Sequence, residues 1–365
     1  MSLLRRLFNA GLQGALLLLG RRWRPIPSES VQRIVVLELT RLGDVCAAAS
    51  LLQPLQRAYP LAKIEMVVQE AYTGLLEDEV DEVHGLPGAG WAFLQGAWAL
   101  RKRLMGPSLM VVSASPAIRH SVLVWLSRPG WALGFLFPPR PSLRYDTPGR
   151  LSAYGFEDAV AADWTGEGHL LERCQAVLRA GGIKASLPTP FLRAAAERRF
   201  GSRRVVLHAG ANWQWRRWPL ERFAALAEAL QVRGFDCVLI PAEAGPLLSA
   251  PAGVRVAEGL SLVQLRELLA GALLFIGNDS GPMHLAAALG TPCLALFGPN
   301  LVERSGPWPL PSQPESPHVA LREPVPCSPC GQTVCVQPHD WCMAKLSLAR
   351  VQAQALELLN APQEG

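Results

Sequence analysis

Short apolar runs, each ending in a small or polar loop and followed by helical spacing, set the pattern of this chain. "RIVVLEL" (Arg33 to Leu39) is a β-rich run, and the "TRLGDVCAAASLLQPLQRAYP" that follows predicts a loop passing into one amphipathic helix. "KIEMVV", "DEVHGLP" and "SLMVVSA" read as further strands, separated by helical or loop segments. Strands alternating with helices predict a parallel sheet covered on both faces. The pattern fades between about Pro138 and Thr165, where Pro, Gly and aromatic residues predict loops, and a helix is expected over His169 to Ala180.

The alternation then restarts. "RRVVLHAGANWQWRRWPLERFAALAEALQVRGFDCVLIPAEAG" reads as strand, loop, helix, strand, loop, echoing the beginning of the chain. "SLVQLRELLAGA" predicts a helix, and "FIGNDSGPMHLAAALGTPCLALFGP" (Phe275 to Pro299) a strand, a polar turn, a short helix and a buried strand. The expected organisation is an N-terminal extension over 1–30 and a Rossmann-like domain over 31–190. A second such domain covers 200–345, and a final helix and tail cover 346–365. The boundary between the two domains falls near Thr189 to Gly201.

Composition agrees with this plan. At 365 residues, half of them hydrophobic and 18% charged, the chain can build two cores of ordinary size. The formal charge of +5 is modest, with no long basic tract carrying interleaved aromatics, so a nucleic-acid partner is not expected. Two such α/β units suggest a ligand at the carboxyl ends of their strands. A dinucleotide reading lacks its fingerprint: the first strand offers only Gly43 in "LTRLGDV" instead of G-x-G-x-x-G.

The first 24 residues stand apart, with Arg5, Arg6, Arg21, Arg22 and Arg24 and no acidic residue before Glu29. The apolar part falls short of the about 20 residues that cross a bilayer, and no small-x-small cleavage site follows. Two readings stay open: an amphipathic helix on an anionic membrane surface, or an appended helix packed on the core.

The turn after Phe275 gathers unusual chemistry. Pro282 suits the first turn of a helix and Gly290 its end. The N–H groups of Ser280, Gly281 and the residues that follow them would then form an anion site at a helix start. Asp279 could accept from a ribose hydroxyl or cap the helix, and His284 could donate to a phosphate oxygen or simply pack. "HAGANWQWRRWP" adds Asn212, Arg216 and Arg217 at the end of a strand, where an Arg can fork onto a diphosphate. Trp213, Trp215 and Trp218 offer stacking surfaces or core packing. Glu243 in "LIPAEAG" follows a strand, where a carboxylate can hold ribose hydroxyls. Asp44 in "RLGDV" stands at a strand-to-helix turn, fit either for a general base or for a helix cap.

With these residues on the page, a resemblance is specific. "RIVVLELTRLGDVCAAASLLQPLQRAYP" and "FIGNDSGPMHLAAALGTPCLALFGP" resemble the two hallmark segments of glycosyltransferase family 9, the ADP-heptose:lipopolysaccharide heptosyltransferases. "RRWPLERFAAL", "GHLLERCQAVLRAGGI" and "CSPCGQTVCVQPHDWCMAKLS" resemble further family segments, so the likeness runs from about Arg33 to Leu359. It implies the GT-B fold, two Rossmann-like domains with parallel sheets facing a central cleft, and inversion at the anomeric carbon. It puts the catalytic base on Asp44, with Gly43 beside it counted among the donor-binding positions. The phosphate-binding lysine of the family falls on Arg216, and the nucleotide-binding Asp-Ser/Thr-Gly-x-x-His on Asp279, Ser280, Gly281 and His284. Ribose contact falls on Glu243 and the nucleobase near Leu260. The implied partners are a nucleotide-sugar donor, ADP-heptose in the family, and a lipid-linked glycan acceptor of the lipopolysaccharide core. No catalytic cofactor is implied, because Arg216, His284 and the helix start take up the leaving charge. The implied location is the cytoplasm, at the inner face of the inner membrane.

Two departures matter. Arg216 replaces a lysine, and Ser113 stands where family members often carry Asp, which leaves Arg119 as the candidate contact to an anionic acceptor. A non-catalytic nucleotide-sugar-binding protein, or a transferase for a different sugar and acceptor, remains the alternative. Of eight cysteines, Cys46, Cys174, Cys237 and Cys293 sit among apolar neighbours as reduced core residues. Cys327, Cys330, Cys335 and Cys342 form C-x2-C-x4-C-x6-C, a candidate structural zinc site with His339 as a competing ligand. Two disulfides or simple reduced packing are the other readings of that cluster.

Overall fold

The computed structural model describes residues 31–112, 118–134, 168–184, 190–193, 203–242, 253–330, 334–337 and 341–361. The N-terminal extension, Ser113, Glu243, His339 and the loops expected over 138–165 lie outside the described residues. The chain divides into two compact units, 1–188 and 189–365.

The first unit runs β1 (Arg33–Glu38), α1 (Leu42–Ala49), α2 (Leu52–Ala58), β2 (Lys63–Gln69), β3 (Glu82–Leu86), α3 (Gly90–Leu104), β4 (Gly106–Val112), α4 (Ile118–Ser127), β5 (Pro129–Leu133) and α5 (Leu170–Ala180). Its five strands lie in the order β3-β2-β1-β4-β5. All are parallel, with Val36 opposite Met66 on one side and Val111 on the other. β1 is apolar almost throughout, as a strand covered on both faces must be.

The single helix expected after β1 is two. Ser50 ends α1 and turns its hydroxyl back to the Ala47 carbonyl at 2.5 Å. Pro54, in the first turn of α2, lacks an N–H and would press its ring on the carbonyl four residues back, so one ladder cannot pass through. α1 is also not amphipathic: Val45 to Ala49 are all buried. At the amino ends of the strands, Arg33 forks onto Glu65 at 2.7 and 2.9 Å while His84 meets Glu65 at 2.8 Å. Burial works to raise the Glu65 carboxyl, but the bonds from His84 and Arg33 outweigh it and hold it below its usual range.

The second unit runs β6 (Arg204–His208), α6 (Leu220–Gln231), β7 (Asp236–Ile240), β8 (Arg255–Val256), α7 (Leu262–Ala270), β9 (Leu274–Asn278), α8 (Gly281–Ala288), β10 (Cys293–Phe297), β11 (Val319–Arg322) and the final α9 (Leu348–Asn360). Its strands are also parallel, in the order β11-β10-β9-β6-β7-β8. Phe223, Leu226 and Leu230 of α6 and Val351 and Ala355 of α9 close one core over β6, β9 and β10. β6 and β9 approach closely at Gly277, where an added Cβ would meet the Phe275 ring at 2.5 Å and the His208 carbonyl at 3.2 Å. Gly290 carries the chain out of α8 at φ +76°, as its position in the sequence predicts.

Candidate functional site

Each sheet reverses its strand order once at its centre, between β1 and β4 in the first unit and between β6 and β9 in the second. Loops at the carboxyl ends diverge at such a point and leave a crevice where ligands bind. Asp44 follows β1; Asn212 and Arg216 follow β6; Asp279 to His284 follow β9.

In the first unit, Glu38 ends β1 fully buried. The loop after it is held by three long-range bonds: Leu39 N–H donates to His120 Nε2 at 2.8 Å, and Gln69 Nε2 donates to the Leu39 carbonyl at 2.9 Å and to the Thr40 carbonyl. Asp44 is the third residue of α1 and stays partly open to solvent. Its Oδ2 accepts from the Thr40 hydroxyl at 2.8 Å and from Arg41 N–H at 3.3 Å. The same hydroxyl also bonds the Glu38 carboxylate, and Thr40 N–H reaches that carboxylate at 2.9 Å. Arg41, not Asp44, is the cap of α1 by position; Asp44 bonds back to it from the first turn, and its carboxylate stands beyond the strand end. Gly43 precedes it within the helix. The Tyr72 hydroxyl is a further neighbour; burial raises its pKa, and the negative charges of Asp44 and Cys46 add to that rise. Arg119, in the first turn of α4, donates to the Gly88 carbonyl beyond the end of β3.

In the second unit the organising residue is Asn278, fully buried at the end of β9. Its Oδ1 accepts from Trp218 N–H at 2.9 Å and its Nδ2 donates to the Ala209 carbonyl at 2.9 Å. One side chain thus fixes both ends of the loop after β6. Trp218 anchors that loop in the core, edge-on to Phe223 at 4.9 Å and donating from Nε1 to the Leu346 carbonyl at 2.8 Å. The fixed loop carries Arg216 in a short turn, its guanidinium 4.0 Å over the Trp213 ring. Arg216 Nη1 lies 3.4 Å from Asp279 Oδ2, both side chains mostly buried, and Asn300 Nδ2 donates to the same Asp279 oxygen. Of the three tryptophans, Trp218 is core, Trp213 carries the cation–π contact, and Trp215 meets Trp341 edge-on at 6.0 Å.

The start of α8 is narrower as an anion site than its sequence predicts. Pro282 has no N–H, and Met283 N–H turns back to the Ser280 carbonyl at 3.1 Å, leaving Ser280 and Gly281 as the backbone donors of the turn. Ser280 caps by position, yet its hydroxyl makes no cap bond and its oxygen is buried without a hydrogen-bond partner. A buried unsatisfied hydroxyl is costly and suits a ligand atom. His284 is half-buried one turn on, Asn212 is exposed, and Leu260 is half-buried beyond β8. His208 closes β6 and stacks on Phe275 at 6.5 Å; burial lowers its pKa to about 4, so its ring is neutral near pH 7.

Thr40, Glu38, Tyr72, Asn278, Asn300 and His208 were not singled out by the sequence. Asn278 carried a signal, an Asn inside an otherwise apolar strand, where a polar side chain without a partner would be expensive. Thr40 and Asn300 carried none, because their value rests on what the fold sets beside them.

The four C-terminal cysteines are free thiols. Their side chains line one hollow of about 310 Å3 with Trp215, Pro299, Trp341 and Lys345. Burial raises the Cys342 thiol, and the charges of Cys330, Cys335 and Cys327 add to the rise. Among the described residues, the one group whose ligand atoms already lie within 4.8 Å of one another is Glu65, Glu82 and His84. Arg33 already forks onto Glu65, so that group is satisfied as an ion-pair network. The thiols share a hollow without forming a finished cage.

Residues 183–339 match the family model of glycosyltransferase family 9 (heptosyltransferase). Lipopolysaccharide heptosyltransferase 1 of Pseudomonas aeruginosa is 32% identical over 180 residues, which is 44% of this chain and 48% of that protein. The chain thus spans about half the length of that relative. A family 9 glycosyltransferase from Veillonella parvula shares the fold at a TM-score of 0.71 and 21% identity, over 93% of this chain and 99% of that one. E. coli heptosyltransferase WaaC with ADP shares it at 0.68 and 17% identity, over 89% and 99%. The second unit is thus similar in sequence to glycosyltransferase family 9, and the chain shares the α/β architecture of these GT-B enzymes.

Proposed function

We propose that this protein is an inverting glycosyltransferase that moves heptose from ADP-heptose to a lipid-linked glycan of the lipopolysaccharide core. The observation that carries the reading is the Arg216–Asp279 pair at 3.4 Å, held at the switch point of the second sheet by Asn278. A guanidinium, a carboxylate and a helix start with free donors meet the needs of a ribose and a diphosphate together.

In this reading Asp44 accepts a proton from an acceptor hydroxyl as that oxygen attacks the anomeric carbon. The new carbon–oxygen bond forms on the face opposite the nucleotide. The bond to the β-phosphate oxygen breaks, and its electron pair leaves on the diphosphate. Arg216, His284 and the N–H groups of Ser280 and Gly281 stabilise that charge. Glu243 and Leu260 are assigned to ribose and base, and Arg119 to an anionic part of the acceptor. Residues 1–30, with their arginines, are assigned to the cytoplasmic face of the inner membrane. The hollow lined by Cys327, Cys330, Cys335 and Cys342 is assigned a structural metal, zinc by its sulfur donors, which elemental analysis of the purified protein checks.

The deciding experiment incubates the full chain with ADP-heptose and a lipid-linked core acceptor and reads the acceptor mass. Addition of one heptose carries the proposal. Stabilisation by ADP without transfer to any acceptor would favour a nucleotide-sugar-binding protein, and stabilisation by NAD alone would overturn the site assignment.

A further inference from the structure

Helix α3 carries two apolar stripes where packing on its sheet accounts for one. Phe93, Ala97 and Leu104 are buried. Trp91, Trp98 and Met105 follow each other at every seventh position and remain 69%, 57% and 44% exposed. Seven residues make about two turns, so Trp91 and Trp98 share a line, turned away from the buried one, and Met105 follows as the residue that ends the helix.

The charge on the helix itself has one sign. α3 contains no acidic residue, and its last turn carries Arg101, Lys102 and Arg103. Arg103 is engaged with Glu82 at 3.6 Å. Arg101 lies 3.5 Å over the Trp98 ring, and Lys102 and Arg128 are exposed. Trp98, Arg101, Met105, Trp125, Leu126 and Arg128 line a shallow hollow of about 310 Å3, with apolar walls and a basic rim. Basic residues in a last turn also suit the helix dipole. The dipole gives no reason for two tryptophans in water beside them.

We propose that this face of α3 lies on an anionic phospholipid bilayer. Trp91, Trp98 and Met105 enter the boundary between headgroups and acyl chains, and Arg101, Lys102 and Arg128 meet lipid phosphates. Exposed tryptophan with a basic collar is the composition that settles at such an interface. Among the described residues no helix is long and apolar enough to cross a membrane, so the contact is peripheral. The inference depends neither on residues 1–30 nor on the transfer reaction.

The test uses the full chain and vesicles of phosphatidylcholine alone or mixed with phosphatidylglycerol. Hydroxyl-radical footprinting read by mass spectrometry should show Trp91 and Trp98 protected on the anionic vesicles. In co-sedimentation, R101Q/K102Q should lower partitioning onto anionic vesicles by about fivefold per charge. W91A/W98A should lower it on both vesicle types, with melting temperature unchanged because both side chains are exposed. Unaltered oxidation of Trp91 and Trp98 on bound vesicles, or wild-type partitioning of both double variants, would overturn the proposal. So would failure of the wild-type chain to bind anionic vesicles at all.

Discussion

The Thr40 hydroxyl stands 2.8 Å from the Asp44 carboxylate and on its other side bonds the buried carboxylate of Glu38. A hydroxyl has one proton to give, so the two carboxylates compete for it, each keeping a backbone N–H as a further donor. In the proposed reaction, the proton that Asp44 accepts would make it a donor itself and let Thr40 turn wholly to Glu38.

Replacing Asp44 with Asn should lower kcat about a hundredfold or more, the usual worth of a general base, while ADP binding stays near wild type. Thr40→Val, which removes one hydrogen bond, should cost about tenfold in kcat. Steady-state kinetics beside ADP titration separates the two effects; normal transfer by the Asn variant would dismiss Asp44 as the base.

Arg216→Ala should weaken ADP binding about tenfold to a hundredfold, the worth of one charge-assisted contact. Arg216→Lys should recover only part of it, since lysine keeps the charge but loses the fork and the stacking on Trp213. Calorimetric titration of both variants gives the order, and equal affinity in all three proteins would remove Arg216 from the donor site.

Asn278→Leu leaves Trp218 N–H and the Ala209 carbonyl buried without partners. The expected loss is about 3 kcal/mol or more of stability, with ADP binding weakened as the loop after β6 comes free. Denaturant unfolding measures the first and titration the second.

His318 supplies a pH dependence. Its Nδ1 accepts from Cys293 N–H at 3.2 Å and its Nε2–H faces the Trp308 carbonyl at 3.1 Å, so the neutral ring is the one that fits. Burial lowers its pKa to about 4, with the Trp308 bond opposing. The unfolded chain therefore binds the proton first: stability is whole above about pH 6.5 and falls as pH drops toward 4. At pH 5 the loss should be about 2 kcal/mol, and His208 shifts stability in the same direction. Melting curves from pH 7.5 to 5 should flatten in His318→Gln, and an unchanged slope would mean that His318 does not drive the acid loss.

The sequence alone determined the elements and the chemistry of single turns. Apolar runs gave β1, β2 and β9, and Pro282 and Gly290 bracketed α8, because strand periodicity, caps and left-handed turns are encoded within a few residues. The break between α1 and α2 was also written there, in Pro54, but the run of alanines around Cys46 masked it. Tertiary structure decided what met what. Arg216 and Asp279 stand 63 positions apart in sequence, yet β6 and β9 are neighbours in the sheet and bring their carboxyl ends together. Asn278 became the clamp of the loop after β6, and Trp98 was left in water, for the same reason. Parallel pairing and helix docking join residues distant in the chain, and which face remains uncovered is fixed only once every element has taken its place.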